Sequence, residues 1–390
     1  MITVTEALDA IFKLVGPLGT ENVRLAEAAG RVLAAPVIAT RMQPPFAASA
    51  MDGYALNGVE ADPEAMFRVI GESAAGHGFD GRVGPGECVR IFTGAPLPEG
   101  TNRVIIQEDT DRKGNLITLA RKLDKGPHVR PAGADFKPGD TIPAPRVLTP
   151  ADLALAAAMN VPNLTVTRKP VVALLATGDE LVMPGEAPGP DQIIASNSFG
   201  LKALIDANGG HARMLPIARD NADSLRTAFE LATDADLIVT IGGASVGDHD
   251  IVADVAAELG MDQSFYKVLM RPGKPLMAGR MGDEAMIGLP GNPVSSMVCG
   301  HVFLIPALRA MLGLGASAAP RKTARLAHDA AQNGQREHYM RARVDGDQIT
   351  IFDSQDSALL SVLAQANALA IRPASDPARS AGDEIAYLQI

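Results

Sequence analysis

Apolar runs alternate with amphipathic stretches through the middle of this chain, and that alternation sets the first expectation for its fold. Strand-like runs at 171–176, 212–217, 236–241, 266–270 and 285–289 are separated by segments at 198–208, 222–232, 251–259 and 294–312, whose apolar residues recur at helical spacing. Short runs that are apolar throughout read as strands buried on both faces, and their alternation with helices predicts a doubly wound, mostly parallel sheet. Ligands of such sheets bind outside the carboxyl ends of the strands.

The pattern differs on either side of this region. Residues 1–43 read as helical, with Thr5 as N-cap and Ile11, Leu14, Val15 and Leu18 on one face. From 44 to 136, short apolar runs at 67–70, 88–92, 104–106 and 116–119 sit between Gly, Pro and Asn turns, the signature of a small β domain. Thr149 followed by Pro150 opens a helix over 151–160. The β region is therefore read as an insertion into a helical unit. Residues 316–320 form a linker, and the remainder alternates as a second β domain. The expected fold class is multidomain α/β plus β. It comprises a discontinuous N-terminal helical and linker unit (1–43 and 137–168), an inserted small β domain (44–136), a central doubly wound α/β domain (169–316) and a C-terminal β domain (320–390).

Composition narrows the function classes. A chain of 390 residues is long for a single core. Its net charge of −10, without any Lys/Arg run, argues against a nucleic-acid partner. Cys88 and Cys299 are far apart and match no metal-ligand spacing, which fits a reducing, cytoplasmic setting. Glu6 and Asp9 interrupt any reading of the N-terminus as a signal peptide. The most apolar stretch, 297–316, contains His301, Pro306 and Arg309, so a buried helix is expected there rather than a membrane span.

Candidate chemistry gathers in the loops after the expected strands. These are Thr177-Gly178-Asp179-Glu180-Leu181, then Arg219-Asp220, then the segment 242–250, and finally Pro290-Gly291-Asn292-Pro293-Val294-Ser295-Ser296. Gly242, Gly243 and Gly247 would let backbone N–H groups approach an anion. Asp248 and Asp250 at the same turn would repel that anion unless a cation such as Mg²⁺ lay between them. Pro293 suits a first helical turn, which leaves the N–H groups of Val294, Ser295 and Ser296 open to a phosphate. On a strand, Lys267, Leu269 and Arg271 would share a face, with Lys274 just beyond. The spelling G-x-S-x-G at 243–247 raises a competing hydrolase reading with Ser245 as nucleophile and His301 or His338 as base, although Asp248 and Asp250 would crowd its oxyanion. The G-x-G-x-x-G at 76–81 has no helix after it and does not read as a dinucleotide site, and no histidine pattern points to zinc.

Taken together, these motifs resemble the molybdopterin molybdenumtransferase family, which includes the E domain of gephyrin. The resemblance spans essentially the whole chain. It rests on Pro44-Pro45-Phe46 with Ser49 to Ala55, on Thr93-Gly94-Ala95, on Thr177 to Leu181, on Gly242 to Asp250, on Pro272-Gly273-Lys274-Pro275 and on Pro290 to Ser296. It implies a Mg²⁺-dependent transferase that inserts molybdate into adenylylated molybdopterin, releasing AMP and forming molybdenum cofactor. The 169–316 unit would then be the molybdopterin-binding domain. The resemblance also implies a homodimer with its active site between subunits, and dealings with a molybdopterin adenylyltransferase and with apo-molybdoenzymes. It marks Asp52, Thr93, Asp135, Glu180, Asp220, Asp250, Lys267, Arg271, Arg341 and Ser357 as functional positions.

Chemistry distributes roles among them. Glu180, Asp220 and Asp250 are expected to hold Mg²⁺ or its waters, and Asp52 to orient a water or position the metal. Lys267, Arg271, Lys274 and Arg341 would hold molybdate or phosphate. Pro290, Gly291, Asn292 and Ser295 would cradle a phosphate. Thr93, Asp135 and Ser357 complete the binding set. Two positions depart from the family pattern: Arg271 stands where lysine is usual, and Asp356 where glycine often precedes the serine. Altered oxyanion preference, for tungstate for example, is one implication. A non-catalytic cofactor-binding or scaffold protein of the same fold is the alternative from another class.

Overall fold

The computed structural model describes residues 1–243 and 251–390. At its centre lies a six-stranded sheet whose strands, in chain order, are β1 (Val171–Ala176), β2 (His211–Met214), β3 (Leu237–Ile241), β4 (Asp262–Lys267), β5 (Pro275–Met281) and β6 (Glu284–Leu289). Their spatial order is β2-β1-β3-β6-β5-β4. β2, β1, β3 and β6 run parallel, while β5 is antiparallel to β6 and β4 to β5.

Side-chain alternation sorts this sheet into two apolar layers. Val172 and Leu174 of β1, with Leu237, Val239 and Ile241 of β3, join one core with helices Val4–Leu14, Asn197–Ala207 and the long helix 293–311. Ala173, Leu175 and Ile238 face the other way, against helices Ala222–Leu231 and Ile251–Glu258. The two-sided burial explains why these strands read as continuous apolar runs. The 19-residue segment Pro293–Met311 is apolar enough to cross a membrane by composition, but 78% of its apolar window is buried inside the protein, as expected for a core helix. It carries a π-helical turn at Gly300–Leu304, which ends two residues before Pro306, whose missing N–H removes one regular helical bond.

The N-terminal part differs from its expected helical character. Only Val4–Leu14 is α-helical within 1–43, and its N-cap is Thr3, not Thr5. Thr3 and Glu6 form a reciprocal capping box that starts the helix before Thr5 is reached. This helix packs on the central core through Val4, Ala7, Leu8 and Ile11 instead of joining the N-terminal unit. The following residues form strands. Thr20–Arg24, Val32–Leu33, Arg146–Val147 and Asn163–Thr167 make an antiparallel sheet, so two distant stretches pair with one another. Helix Pro150–Ala158 has the expected Thr149 cap and first-turn proline. Between these stretches, six strands from Gly53–Leu56 to Leu116–Leu119 form the small β sheet.

The C-terminal β region closes on itself. Glu337–Asp345 pairs with Gln348–Ile351 and with Ala368–Arg372, and the remaining pairings complete a barrel. The expected strand at 266–270 is divided: β4 ends at Lys267, and Met270–Arg271 pairs in parallel with the barrel strand Glu337–Asp345. Lys267, Leu269 and Arg271 therefore do not share one strand face, because the chain changes sheets between them.

The N-cap assignment and the placement of the first helix are testable together by urea unfolding. Thr3→Ala is expected to lose about 1 kcal/mol and Thr5→Ala to stay within about 0.5 kcal/mol of wild type. Ile11→Ala, in the central core, is expected to lose about 2–5 kcal/mol.

Candidate functional site

The strand order reverses direction at β1, since β2 lies on one side of it and β3 on the other. A crevice at such a switch point is where doubly wound sheets bind ligands. Here a cavity of about 1240 Å³ opens at the ends of β1 and β3, between Thr177-Gly178 and Gly242-Gly243. Glu180, Asp220, Asp254, Pro290, Gly291 and Asn292 also line it.

Local chemistry shapes its walls. Gly242 and Gly243 have φ of 92° and 67°. A Cβ on Gly242 would meet the Thr177 carbonyl at 2.8 Å, and one on Gly243 would meet Val252 Cγ2 at 2.1 Å. Only glycine satisfies both the backbone conformation and the space. On the facing loop, the Glu180 carboxylate lies over Gly178, where a Cβ would stand 2.4 Å from its Oε2. The loops after β1 and β2 interlock. Asp179 N–H donates to Asp220 Oδ2 at 3.4 Å, Asp220 N–H donates to Asp179 Oδ1 at 3.3 Å, and Arg219 Nη1 donates to the Asp179 carbonyl at 3.0 Å. Asn197 Nδ2 holds the Gly291 carbonyl at 2.7 Å, and Ser296 Oγ donates to the Pro290 carbonyl, which fixes the 290–292 turn.

A second cavity of about 440 Å³ adjoins the first, and the two share Pro275, Pro290 and Asn292. Arg271, Lys274, Arg336, Ser295, Asp356 and Ser357 line it. Behind it, Arg341 is wholly buried and donates through Nη2 to the Asp356 carbonyl at 2.9 Å, while its Nε and Nη1 have no partner among the described residues. Burial lowers its pKa from the ordinary arginine value, opposed by Asp356. His338 is also buried with Nε2 unpartnered, and burial together with Arg271, Arg341, Arg336 and Arg372 pushes its pKa down to about 4. This surplus of positive charge suits an oxyanion. The Asp356 carboxylate accepts the Ala358 N–H at 2.8 Å, so it also stabilises its own loop.

The structure thus brings Glu180, Asp220, Pro290, Gly291 and Asn292 to one cavity and Arg271, Lys274, Ser295 and Ser357 to its neighbour. Lys267 lines neither of these cavities; its ammonium lies 5.0 Å from the Tyr266 ring centroid. Asp52 and Thr93 meet each other, with Asp52 Oδ1 accepting the Thr93 N–H at 2.7 Å and its hydroxyl at 2.8 Å. Those bonds hold the Asp52 pKa below the usual carboxylate range. Neither residue lines these two cavities, and neither does Asp135, whose N–H donates to the Gln43 carbonyl at 2.9 Å. Asp248, Asp250, Gly247 and Ser245 lie outside the described residues.

One expectation about the 290–296 turn is corrected. The Val294 N–H is taken by the Ser357 carbonyl at 3.0 Å, and the Ser296 N–H bonds to the Asn292 carbonyl at 3.0 Å. A loop of the C-terminal region takes the first of these N–H groups and the helix's own first turn takes the second, so neither is open to a phosphate.

Two charged lining residues escaped the sequence reading. Asp254 lies in the first turn of helix Ile251–Glu258, directly after the glycine-aspartate segment, and that proximity was a signal in the sequence. Arg336 had no local signal, because its position follows from the long-range pairing of Met270–Arg271 with the barrel.

Among the described residues, no three His, Cys, Asp or Glu side chains are close enough to form a metal cage. Glu180 and Asp220 do line one cavity, a donor set of the size Mg²⁺ takes, since that ion keeps several waters and binds through one or two carboxylates together with substrate phosphates.

Known proteins share this architecture. Residues 2–160 match the MoeA N-terminal region (domain I and II), residues 173–310 a probable molybdopterin binding domain, and residues 323–390 the MoeA C-terminal region (domain IV). A molybdopterin molybdenumtransferase of Nostoc sp. is 35% identical over 414 residues, an alignment covering 100% of this chain and 94% of the relative. The chain belongs to the molybdopterin molybdenumtransferase family. Molybdopterin molybdenumtransferase 2 of Mycobacterium tuberculosis is 34% identical, with 89% of each chain covered. A crystal structure of molybdopterin biosynthesis moeA protein from Pyrococcus horikoshii OT3 superposes with a TM-score of 0.86 at 25% identity, covering 100% of both chains. The expected fold class and transferase class agree with these relatives.

Two measurements check the electrostatics. Thr93→Val removes one of the two donors to Asp52, so the Asp52 pKa is expected to rise in an NMR titration. His338 and His301 both titrate near 4 when folded, against an ordinary value of 6.5. The unfolded chain therefore binds more protons in that window, and stability falls as pH drops from about 6.5 towards 4. His338→Gln is expected to flatten that decline by about 1–3 kcal/mol, read from urea unfolding across the window.

Proposed function

We propose that this protein inserts molybdate into the dithiolene of adenylylated molybdopterin, releasing AMP and forming molybdenum cofactor with Mg²⁺ required. The observation that carries this reading is the junction of two unlike cavities. One is large, at the sheet's switch point, and lined by carboxylates and glycine turns; the other is small and lined by Arg271, Lys274 and Arg336. The larger, about 1240 Å³, exceeds the range of about 300–1,000 Å³ usual for drug-sized ligands and accommodates a nucleotide-bearing substrate. The smaller suits a compact oxyanion, so each substrate has a chemically matched compartment with a shared wall.

In this reading Glu180 and Asp220, joined by Asp250, hold Mg²⁺ or its waters. Bound there, the ion would neutralise charge between the carboxylates and the substrate phosphates. Arg271, Lys274 and Arg336 hold molybdate, and the unpartnered donors of Arg341 add a fixed positive field behind it. Arg271 retains charge at its position while offering a planar fork of donors. Asp52, kept ionised by Thr93, orients a water or positions the metal from a second subunit of a homodimer. Thr93, Asp135 and Lys267 belong to that shared site. The protein would receive its substrate from a molybdopterin adenylyltransferase and pass its product to apo-molybdoenzymes. Two buried, unpaired cysteines support a cytoplasmic, reducing location.

AMP release from adenylylated molybdopterin tests the proposal. Wild-type protein is expected to release AMP only with molybdate and Mg²⁺ both present, and chelation by EDTA to stop it. Asp220→Asn is expected to lower the rate about 100-fold or more, and Arg271→Ala to raise the molybdate KM at least tenfold. Wild-type protein that releases no AMP and activates no apo-molybdoenzyme would sink the reading.

A further inference from the structure

Asp52 lies in a surface loop of the small β domain, between exposed Met51 and the first residue of strand Gly53–Leu56. Apolar packing does little to fix such a loop, so its hydrogen bonds must. Three successive carbonyls there are taken. That of Met51 accepts from Ser49 Oγ at 2.5 Å, that of Asp52 from the Gln107 N–H at 3.0 Å, and that of Gly53 from Arg90 Nη1 at 3.2 Å. The Asp52 carboxylate accepts from Thr93.

Arg90 joins these attachments into one unit. Its Nη2 donates to Gln107 Oε1 at 2.8 Å, so a single guanidinium grips Gly53 and also the residue whose N–H holds Asp52. The strand that carries it, Glu87–Ile91, ends two residues before Thr93. Arg90 stands opposite Tyr54 in the antiparallel pairing, and its guanidinium carbon lies 5.2 Å from the Tyr54 ring centroid and 4.7 Å from that of Phe92. Both rings thus hold the cation in place.

Two acceptors and two aromatic faces around one group fit a planar fork of donors. A lysine ammonium, a point charge on a flexible stem, reproduces neither the two-pronged reach nor the stacking. Among the described residues, the side-chain hydrogen bonds of Arg90 go to the Asp52 loop and its anchor, Gly53 and Gln107. Thr93 lowers the Asp52 pKa most, and the charge of Arg90 lowers it further. We propose that Arg90 is a positioning residue for the reaction: by clamping Gly53 and Gln107 it fixes the direction in which Asp52 presents its carboxylate. This rests on reading Asp52 as the group that orients a water or positions the metal.

The test measures AMP release from adenylylated molybdopterin, with molybdate and Mg²⁺, beside thermal unfolding. It compares full-length wild type, Arg90→Lys, Gln107→Ala, Asp52→Asn and the double variant of Arg90→Lys with Asp52→Asn. Arg90→Lys keeps the charge and loses the fork, so kcat is expected to fall about tenfold while the molybdate KM stays within about twofold of wild type. Gln107→Ala, at an exposed position, leaves the stacked arginine in place and is expected to lose about threefold in kcat. In the Asp52→Asn background, Arg90→Lys is expected to change the residual rate less than about twofold, because a residue that acts through Asp52 has no carboxylate left to aim. A wild-type kcat in Arg90→Lys overturns the proposal. So does an equal loss in the two backgrounds, which marks Arg90 as support for the sheet alone. Where Arg90→Lys lowers the thermal midpoint, Gln107→Ala decides, and a wild-type rate for it overturns the proposal. Wild-type protein that releases no AMP, or an Asp52→Asn variant as active as wild type, defeats the role of Asp52 first and this proposal with it.

Discussion

The parallel pairing of β1 with β3 is the contact on which the rest of this molecule depends. Five residue pairs, from Val172 with Leu237 to Ala176 with Ile241, bring two buried strands to the same end of the sheet. The register continues into the loops, where the Thr177 N–H meets the Ile241 carbonyl. At the opposite end, Asp236 accepts from the Arg168 guanidinium and from the Val171 N–H at 2.8 Å. With both ends tied, the TGDEL loop and the glycine turn must face each other. A one-residue slip would turn every side chain of β1 to the other layer, so the two-sided core enforces the register that forms the cavity.

The second organising contact is between the α/β region and the barrel. Arg271 stands opposite His338 in a short parallel pairing, and the Ser357 carbonyl caps the helix that starts at Pro293. These links place Arg336, Asp356 and Ser357 beside Arg271 and Lys274, and the small cavity exists only because of them. The cost is concentrated positive charge with little solvent. Arg341 retains unpartnered donors and His338 is held neutral near physiological pH. Such frustration is common where a site is preorganised for a charged ligand.

Much of this was legible along the chain. The strands of the central sheet announced themselves as apolar runs because both of their faces are covered. Glu180, Asp220, Pro290, Gly291 and Asn292 were found because loops after parallel strands converge by geometry alone. The N-terminal region misled for a physical reason. Its strands are short, Val32–Leu33 and Arg146–Val147 among them, and two-residue strands carry no period. The Lys267 to Arg271 stretch misled because alternation holds only within one strand, and the chain leaves its sheet there.

By itself, the sequence determined the family, the layered α/β centre and the chemical character of the loops, since each of these resides in local pattern and residue type. Tertiary structure alone decided that two cavities share a wall, that the barrel caps the 293–311 helix and contributes Arg336, and that the first helix joins the central core. Each of these depends on contacts between residues tens to hundreds of positions apart, and which of the many possible long-range pairings wins is set by the burial of whole faces, a quantity that no local pattern contains.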